Sequence, residues 1–168
     1  MTKYVCLAVI AIISIITSVV LARYRSFDSS ILLRNLAYEI ALSAREAQVL
    51  GISVHGEAGV FTDAYGMHFT TGTTYTLFRD DNGNNQYDGS GEAVSFYTIG
   101  QQNQIVGLSA NGTTVNVIDV VFRRPDPDAL LYTQGVANPS SAVIVVGAPD
   151  GSTRLVRIWP TGQIAVDP

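Results

Sequence analysis

Hydrophobic residues follow two patterns in the first third of this chain. From Tyr4 to Ala22 the residues are mostly aliphatic and none is charged. From Leu33 to Leu50 the apolar residues recur every three or four positions, with charged residues on the other faces. No proline interrupts either stretch. The pattern predicts one continuous helix, apolar all round in its first half and amphipathic in its second, that stops at Gly51.

After the helix the hydrophobic period changes from 3.6 residues to two. Short runs rich in β-branched and aromatic residues are separated by Gly, Asn, Asp and Pro, which is typical of strands joined by turns. The predicted strands are Thr74–Phe78, Ala93–Tyr97, Val115–Phe122, Ala142–Val146 and Leu155–Trp159. The predicted turns are Asn111-Gly112, Pro149-Asp150-Gly151 and Pro160-Thr161-Gly162. The sequence therefore predicts an α+β fold in which a long N-terminal helix packs its amphipathic half on an antiparallel β-sheet.

This pattern divides the chain into three segments. Residues 1–25 are a transmembrane or filament-core half of the helix, residues 26–54 are the amphipathic half, and residues 55–168 are a β-rich globular head. About 19 apolar residues, at 1.5 Å of rise each, nearly span the ~30 Å hydrocarbon core of a bilayer. The apolar run is therefore a cleaved signal, a permanent membrane anchor or the stem of a helical filament. Its length and the absence of a small-x-small cleavage site disfavour a cleaved signal.

The composition favours one exported domain without enzymatic chemistry. The chain has 168 residues, of which 47% are hydrophobic and 14% charged, and this suits one modest domain. Its net charge of −4 disfavours nucleic acid as a partner. Cys6 is the only cysteine, so an intrachain disulfide is excluded. No phosphate-binding glycine loop and no motif for an activated nucleophile occurs, so we expect no enzyme.

One stretch between two predicted strands has the residue types of a calcium loop. Oxygen-bearing side chains stand at positions one, three, five and nine of such a loop, and a main-chain carbonyl stands at position seven. The candidate ligands are Asp80, Asn82, Asn84, Gln86 through its carbonyl, Asp88 and Glu92. Glu92 falls one residue late, and Asn85 replaces the usual glycine, although asparagine adopts the left-handed backbone readily. The alternative is a solvated hairpin loop in which Asp, Asn and Gly only form turns.

The remaining polar motifs are shorter. Asn111-Gly112-Thr113 is a glycosylation sequon on a predicted turn, whereas its proline excludes Asn138-Pro139-Ser140. His55 and His68 are the only histidines, and neither has the neighbouring ligands of a transition-metal site. We therefore expect one candidate glycosylation site, at Asn111, and no transition-metal site.

Several segments together resemble one family. Val9 to Ile16, followed by Leu21-Ala22 and Tyr24, is similar to the N-terminal segment of mature type IV pilins and type II secretion pseudopilins, aligned without gaps when Met1 is the first residue of the processed chain. The later segments resemble the minor pseudopilin H and FimT-like group. They are Ala37–Val54, Val121–Pro125, Gln134-Gly135 and Arg154–Ile164.

The resemblance implies a filament subunit that is first stored in the cytoplasmic membrane and then moves into an extracellular or periplasmic filament. Its implied partners are copies of itself or related pilins, membrane lipid, an inner-membrane assembly platform and a prepilin peptidase, with processing and methylation at Met1. The implied filament-core residues are Tyr4, Val5, Leu7, Val9, Ile10, Ile12, Ile13, Ile15 and Ile16. Val5 stands where the family usually carries a glutamate, and Lys3 adds a charge that most relatives lack.

Three functional classes follow. The first is a structural subunit of a type IV pilus-like or pseudopilus filament that polymerises through the N-terminal helix. The second is a minor subunit at the tip that primes assembly in a machine for secretion or DNA uptake, which the missing glutamate at Val5 favours. The third is a membrane-anchored extracytoplasmic binding module that does not polymerise. We expect the first class, whose biological role, whether adhesion, motility or secretion, the sequence leaves open.

Overall fold

The computed structural model describes residues 2–53 and 64–167, with side chains described for residues 3–20, 29–53 and 64–167. These ranges contain a helix followed by ten strands. The elements are α1 (Thr2–Ile52), β1 (Ala64–Thr70), β2 (Thr74–Asp80), β3 (Ala93–Thr98), β4 (Gln104–Ala110), β5 (Thr113–Val115), β6 (Val117–Phe122), β7 (Ala129–Thr133), β8 (Ala142–Gly147), β9 (Thr153–Ile158) and β10 (Ile164–Asp167). The predicted α+β class with a long N-terminal helix is confirmed. Met1, His55 and the start of the predicted head lie outside the described residues.

The strands form two antiparallel sheets, so the prediction of a single sheet was wrong. One sheet has the order β3-β2-β1-β6-β7 and the other the order β10-β9-β8-β4-β5. The ten strands present more apolar surface than one helical stripe can cover. The two sheets and α1 therefore bury their apolar faces together in one core. The largest fully buried side chains come from all three layers and include Leu33, Ile40, Phe69, Leu77, Phe122, Ile105, Ile144 and Ile158.

The amphipathic half of α1 buries one stripe of side chains, as its sequence pattern predicts. The buried apolar residues of this half are Leu33, Leu36, Ala37, Ile40, Ala41, Ala44 and Ala47. They contact strands of both sheets, namely β1, β6, β8, β9 and β10. The alanines keep the helix close to the strands, and burial of a side chain such as Ile40 contributes about 1.5–3 kcal/mol. This stripe fixes the helix to the head.

The helix ends at Ile52, one residue beyond the predicted stop at Gly51. Gly51 lies inside the helix and is buried against the end of β6. A Cβ atom at this position would stand 2.3 Å from the carbonyl oxygen of Phe122. The glycine is therefore required for close approach to β6, and the chain leaves the helix at Ser53, whose N–H donates to the Val49 carbonyl at 2.9 Å.

The predicted run Val115–Phe122 is two strands in different sheets. Its first residue ends β5, and after Asn116 the chain enters β6 of the other sheet.

The predicted turns are confirmed by their backbone angles, since φ is 52° at Asn111 and 79° at Gly112. The four strands β1, β4, β7 and β10 lie outside the predicted runs.

Candidate functional site

The first half of α1 is an exposed apolar rod. From Lys3 to Val20 it has a mean hydropathy of 2.3, and no residue in this span is buried. The predicted filament-core residues all lie in it with exposed side chains: Tyr4, Val5, Leu7, Val9, Ile10, Ile12, Ile13, Ile15 and Ile16. By length and composition the span is sufficient to cross a membrane, and a helix of this kind near an N-terminus fits a membrane anchor and a signal sequence alike.

Two polar side chains in this rod have their hydrogen bonds satisfied within the helix. The Thr17 hydroxyl donates to the Ile13 carbonyl at 2.8 Å, and the Ser18 hydroxyl donates to the Ser14 carbonyl at 2.8 Å. Such bonds to the preceding turn lower the cost of placing a hydroxyl in apolar surroundings. These two residues are therefore compatible with lipid or with neighbouring apolar helices.

A second candidate site is the loop from Asp80 to Glu92, between β2 and β3. The Asp80 side chain is buried and organises the start of the loop. Its Oδ1 accepts hydrogen bonds from the N–H groups of Gly83 at 2.8 Å and Asn84 at 3.1 Å, and its Oδ2 accepts one from Asn85 at 2.9 Å. Because three main-chain donors share one carboxylate, Asp80 fixes the loop backbone.

Three of the predicted calcium ligands converge in the middle of the loop. The side-chain amides of Asn82 and Asn84 donate to Oδ2 of Asp88 at 2.6 and 2.7 Å. The side-chain oxygens of the two asparagines accept main-chain N–H groups two residues further on, from Asn84 at 3.0 Å and Gln86 at 2.8 Å. Asn85 has φ of 62°, so it takes the left-handed conformation that a calcium loop requires at its sixth position.

The remaining acidic ligand has another role. Glu92 is buried, and its carboxylate accepts the N–H group of Asp88 at 2.9 Å. Within the described ranges no group of three or more His, Cys, Asp or Glu side chains is arranged to hold a metal ion. The oxygen Oδ1 of Asn85 is buried and accepts no hydrogen bond from a described residue. A cation in this loop would therefore depend on amide and carbonyl oxygens together with Asp80 and Asp88.

The loop is held on β1 and β6 by residues outside the predicted calcium set. His68 Nδ1 lies 2.6 Å from Oδ1 of the buried Asp119, and the Tyr87 N–H donates to Oδ2 of the same carboxylate at 3.4 Å. The Tyr87 ring contacts the His68 ring at a centroid distance of 4.6 Å and the Phe78 ring at 5.5 Å. The sequence signal for this anchor is the single acid, Asp119, within the apolar run that became β6.

Another polar cluster joins the helix to the edge of the first sheet. The Tyr75 and Tyr97 rings stack at a centroid distance of 4.9 Å. The Tyr97 hydroxyl donates to Glu46 Oε2 at 2.9 Å, and the Tyr75 hydroxyl lies 3.3 Å from the Ser43 hydroxyl. Burial, followed by the hydrogen bond to Glu46, raises the pKa of Tyr97 to about 12. Burial also raises the pKa of Tyr75. Both phenols therefore stay protonated at neutral pH and act as hydrogen-bonding groups.

The predicted glycosylation residue lies at an exposed turn. Asn111 joins β4 to β5, and its side-chain oxygen accepts hydrogen bonds from the N–H and hydroxyl groups of Ser140, both at 2.8 Å. The turn is thus accessible, while the asparagine side chain already helps to position the neighbouring segment.

The fold and these sites define a class of protein. It is an α+β protein whose N-terminal apolar helix is long enough to span a membrane and whose head contains two antiparallel sheets. No protein-family model, no curated protein and no solved structure matches the chain. The exposed helix and the loops are therefore the features that bear on function.

Proposed function

We propose that the chain is a structural subunit of a type IV pilus-like or pseudopilus filament and polymerises through α1. The observation that carries this proposal is the contrast within one uninterrupted helix. Between Leu33 and Ala47 one stripe is buried in the head, whereas from Lys3 to Val20 no residue is buried. The head therefore has a single apolar stem that needs a partner outside its own domain.

Lipid and a bundle of apolar helices are similar solvents for such a stem. Both remove the side chains of residues 3–20 from water, at roughly 25 cal/mol per Å² of apolar surface buried. Because the two environments are similar in free energy, the stem can leave the membrane for a filament without a large loss. The proposed locations are the cytoplasmic membrane before assembly and an extracellular or periplasmic filament afterwards.

The proposed partners are copies of this chain or related pilins, an inner-membrane assembly platform and a prepilin peptidase. Processing and methylation at Met1 belong to the same proposal. Mass analysis of the N-terminus of protein isolated from sheared filaments should find a methylated Met1. An unmodified, formylated or further truncated N-terminus would contradict this part of the proposal.

Fractionation of cells separates the three functional classes. A major subunit should be abundant in filaments that are sheared from cells and sedimented free of membrane lipid. A minor tip subunit should be present there only in traces beside another pilin, and a static anchor should remain entirely with the membrane. Abundance in the lipid-free filament fraction is the expected result, and its confinement to the membrane fraction would refute the filament function.

We propose, second, that the loop from Asp80 to Glu92 binds calcium. The proximity of the Asn82, Asn84 and Asp88 side chains supports this, as does the left-handed backbone at Asn85. The buried side-chain oxygen of Asn85 also accepts no hydrogen bond from any residue that the structure describes. The residues that would hold the ion are Asp80, Asn82, Asn84, Asp88 and Gln86 through its carbonyl. All of these are oxygen ligands, which hard cations prefer. A bound ion would neutralise the Asp88 carboxylate, which otherwise accepts hydrogen bonds from two side-chain amides.

Thermal unfolding of the full-length protein in detergent micelles tests this site. Calcium at about 100 times its Kd should stabilise the protein by roughly 2.7 kcal/mol, or about 5–10 °C in Tm for a chain of this size. Asp88→Asn should abolish the shift. Asp81→Asn is the matched control, because Asp81 is exposed in the same loop and its carboxylate faces Arg79 instead. An equal Tm for the wild-type protein in calcium and in chelator would rule out the calcium site.

A further inference from the structure

The amphipathic half of α1 has a second apolar stripe on its outward side. Ile31, Tyr38, Leu42 and Val49 are exposed, with 67% of Leu42 and 65% of Val49 accessible. They follow one another at seven, four and seven residues, which places them on one face of a helix with 3.6 residues per turn. This face is opposite the buried stripe that contains Ile40. We call these four residues the outer stripe.

Charged residues of opposite sign line the two sides of the outer stripe. Glu39 and Glu46 lie on the side that faces β2 and β3, where Leu42 and Tyr97 help to form a cleft of about 340 Å³. Arg34 and Arg45 lie on the other side of the helix, at the angular positions that mirror the two glutamates. There Arg34, Tyr38 and Arg154 line a smaller cleft of about 160 Å³ beside β9 and β10.

Most of these charges form no ion pair with the side chains that the structure describes. Among the described side chains, no carboxylate pairs with Arg34, and no cation pairs with Glu39. The guanidinium of Arg154 donates to the Thr153 carbonyl at 3.1 Å, and no described carboxylate forms an ion pair with it. Asp167, at the edge of the basic cleft, is already paired with Arg157 at 3.2 Å. The two clefts therefore carry opposite net charge beside a shared apolar stripe.

We propose that the outer stripe binds a second copy of this chain head to tail, with the acidic cleft of one copy facing the basic cleft of the next. Charge complementarity identifies this occupant, because each copy presents both signs. A copy related by a two-fold axis parallel to α1 would also pair opposite signs, but it would close the contact into a dimer, which cannot extend the proposed filament. A heterologous contact leaves one cleft open at each end, so it continues along a filament. The inference rests on the proposed filament function and names the surface of the head that continues the contact beyond the apolar stem.

The positions of the charges set the shift between neighbouring copies. Arg34 and Glu39 are five residues apart on one helix, which is about 8 Å along its axis. If Arg34 of one copy meets Glu39 of the next, parallel neighbours are displaced by about this distance. Tyr38 and Leu42 lie beside these two charges and provide the apolar part of the contact.

Charge reversal in the full-length chain tests the interface. Glu39→Arg and Arg34→Glu should each lower the amount of sheared filament by about tenfold, since attraction becomes repulsion at every contact along the filament. The double variant should restore filaments, and co-expression of the two single variants should give filaments that contain both chains. Asp126→Arg is the control for net charge, because Asp126 is exposed in the connection between β6 and β7.

The outcomes separate this inference from the function on which it rests. Normal filaments from both single variants, or equal loss in Asp126→Arg, would overturn the head-to-tail interface while leaving the filament function intact. Failure of the double variant to restore assembly, with a Tm equal to that of the wild type, would also overturn it. A wild-type chain that never enters the sheared fraction would instead refute the filament function. Glu39 and Arg34 are exposed and have no described ion pair, so we expect each variant to fold with an unchanged Tm.

Discussion

Replacement of Gly51 by alanine should weaken the attachment of the helical stem to the head. The glycine lies in the last turn of α1, and an added Cβ would stand 2.3 Å from the Phe122 carbonyl oxygen and 2.8 Å from its carbonyl carbon. A Cβ atom cannot form a hydrogen bond to the carbonyl group, so both distances are far below van der Waals contact. Because the obstacle is backbone of the buried strand β6, it cannot rotate away as a flexible side chain would.

Two effects of opposite sign decide the magnitude. Alanine gains about 0.5–1 kcal/mol over glycine inside a helix, because it restricts the unfolded chain. Overpacking against a structure that cannot yield costs about 1–3 kcal/mol, since the end of the helix must move outward by about 1 Å. The clash should win, with a net loss of about 1–2 kcal/mol in the free energy of unfolding. For a chain of this size that corresponds to a decrease of about 2–8 °C in Tm.

Circular dichroism of the full-length protein in detergent micelles measures this loss as a shift in the melting curve. Gly100→Ala is the matched control, because an added Cβ there meets no atom within 4 Å and φ is not positive. That variant should be neutral or stabilised by up to about 1 kcal/mol. If Gly51→Ala were as stable as the wild type or more stable, helix propensity would outweigh the contact with Phe122 and the reasoning would be refuted.

Three further predictions test the polar and apolar contacts of the head. In the presence of chelator, Asp80→Asn should destabilise the protein by about 1–3 kcal/mol, because one main-chain donor loses its acceptor, whereas exposed Asp81→Asn should change stability by less than about 0.5 kcal/mol. Ultraviolet titration should find a tyrosine with a pKa of about 12 that disappears in Tyr97→Phe and moves toward 10 in Glu46→Gln. Since the folded protein keeps this proton between pH 10 and 12 while the unfolded chain loses it, the free energy of unfolding should fall as pH rises through that window. Ile40→Ala should cost about 2–5 kcal/mol in urea unfolding and leave the apolar rod unchanged.

The helix could be predicted from the sequence because its determinants are local. The change from an all-round apolar pattern to a 3.6-residue period lies within one uninterrupted stretch, and the buried stripe from Leu33 to Ala47 follows it. The helix ends one residue beyond the predicted stop because Gly51 does not terminate it. A glycine is needed here because the helix closely approaches Phe122, which is distant in sequence. No local sequence pattern reveals such a contact.

The strands were only partly predictable for the same reason. β2, β3 and β8 are dense in β-branched and aromatic residues, whereas β1 and β4 each contain a glycine and polar positions. The division of one apolar run between two sheets at Asn116 is a choice of partner strands, which depends on the whole fold. In the loop, the left-handed conformation of Asn85 could be anticipated from its residue type. The anchor formed by Asp119, His68 and Tyr87 required the register of β1 with β6.

The two halves of α1 differ in how their surfaces are covered. The part next to the head is buried on one side and presents the outer stripe on the other. Single surface charges beside the stripe, such as Glu39, can therefore change its contact with a neighbouring copy. The part before Val20 has no such division, because every described side chain in it is exposed and apolar contact is available all round. Apolar contact is non-directional, so it contributes affinity between neighbouring helices but does not fix their relative position along the axis. Register must then come from groups with a fixed position on the helix. In this chain Val5 offers no charge for that purpose, whereas Arg34 and Glu39 do. If the filament proposal holds, alignment of neighbouring copies should therefore depend on the charged flanks of the head-proximal helix more than on its apolar stem.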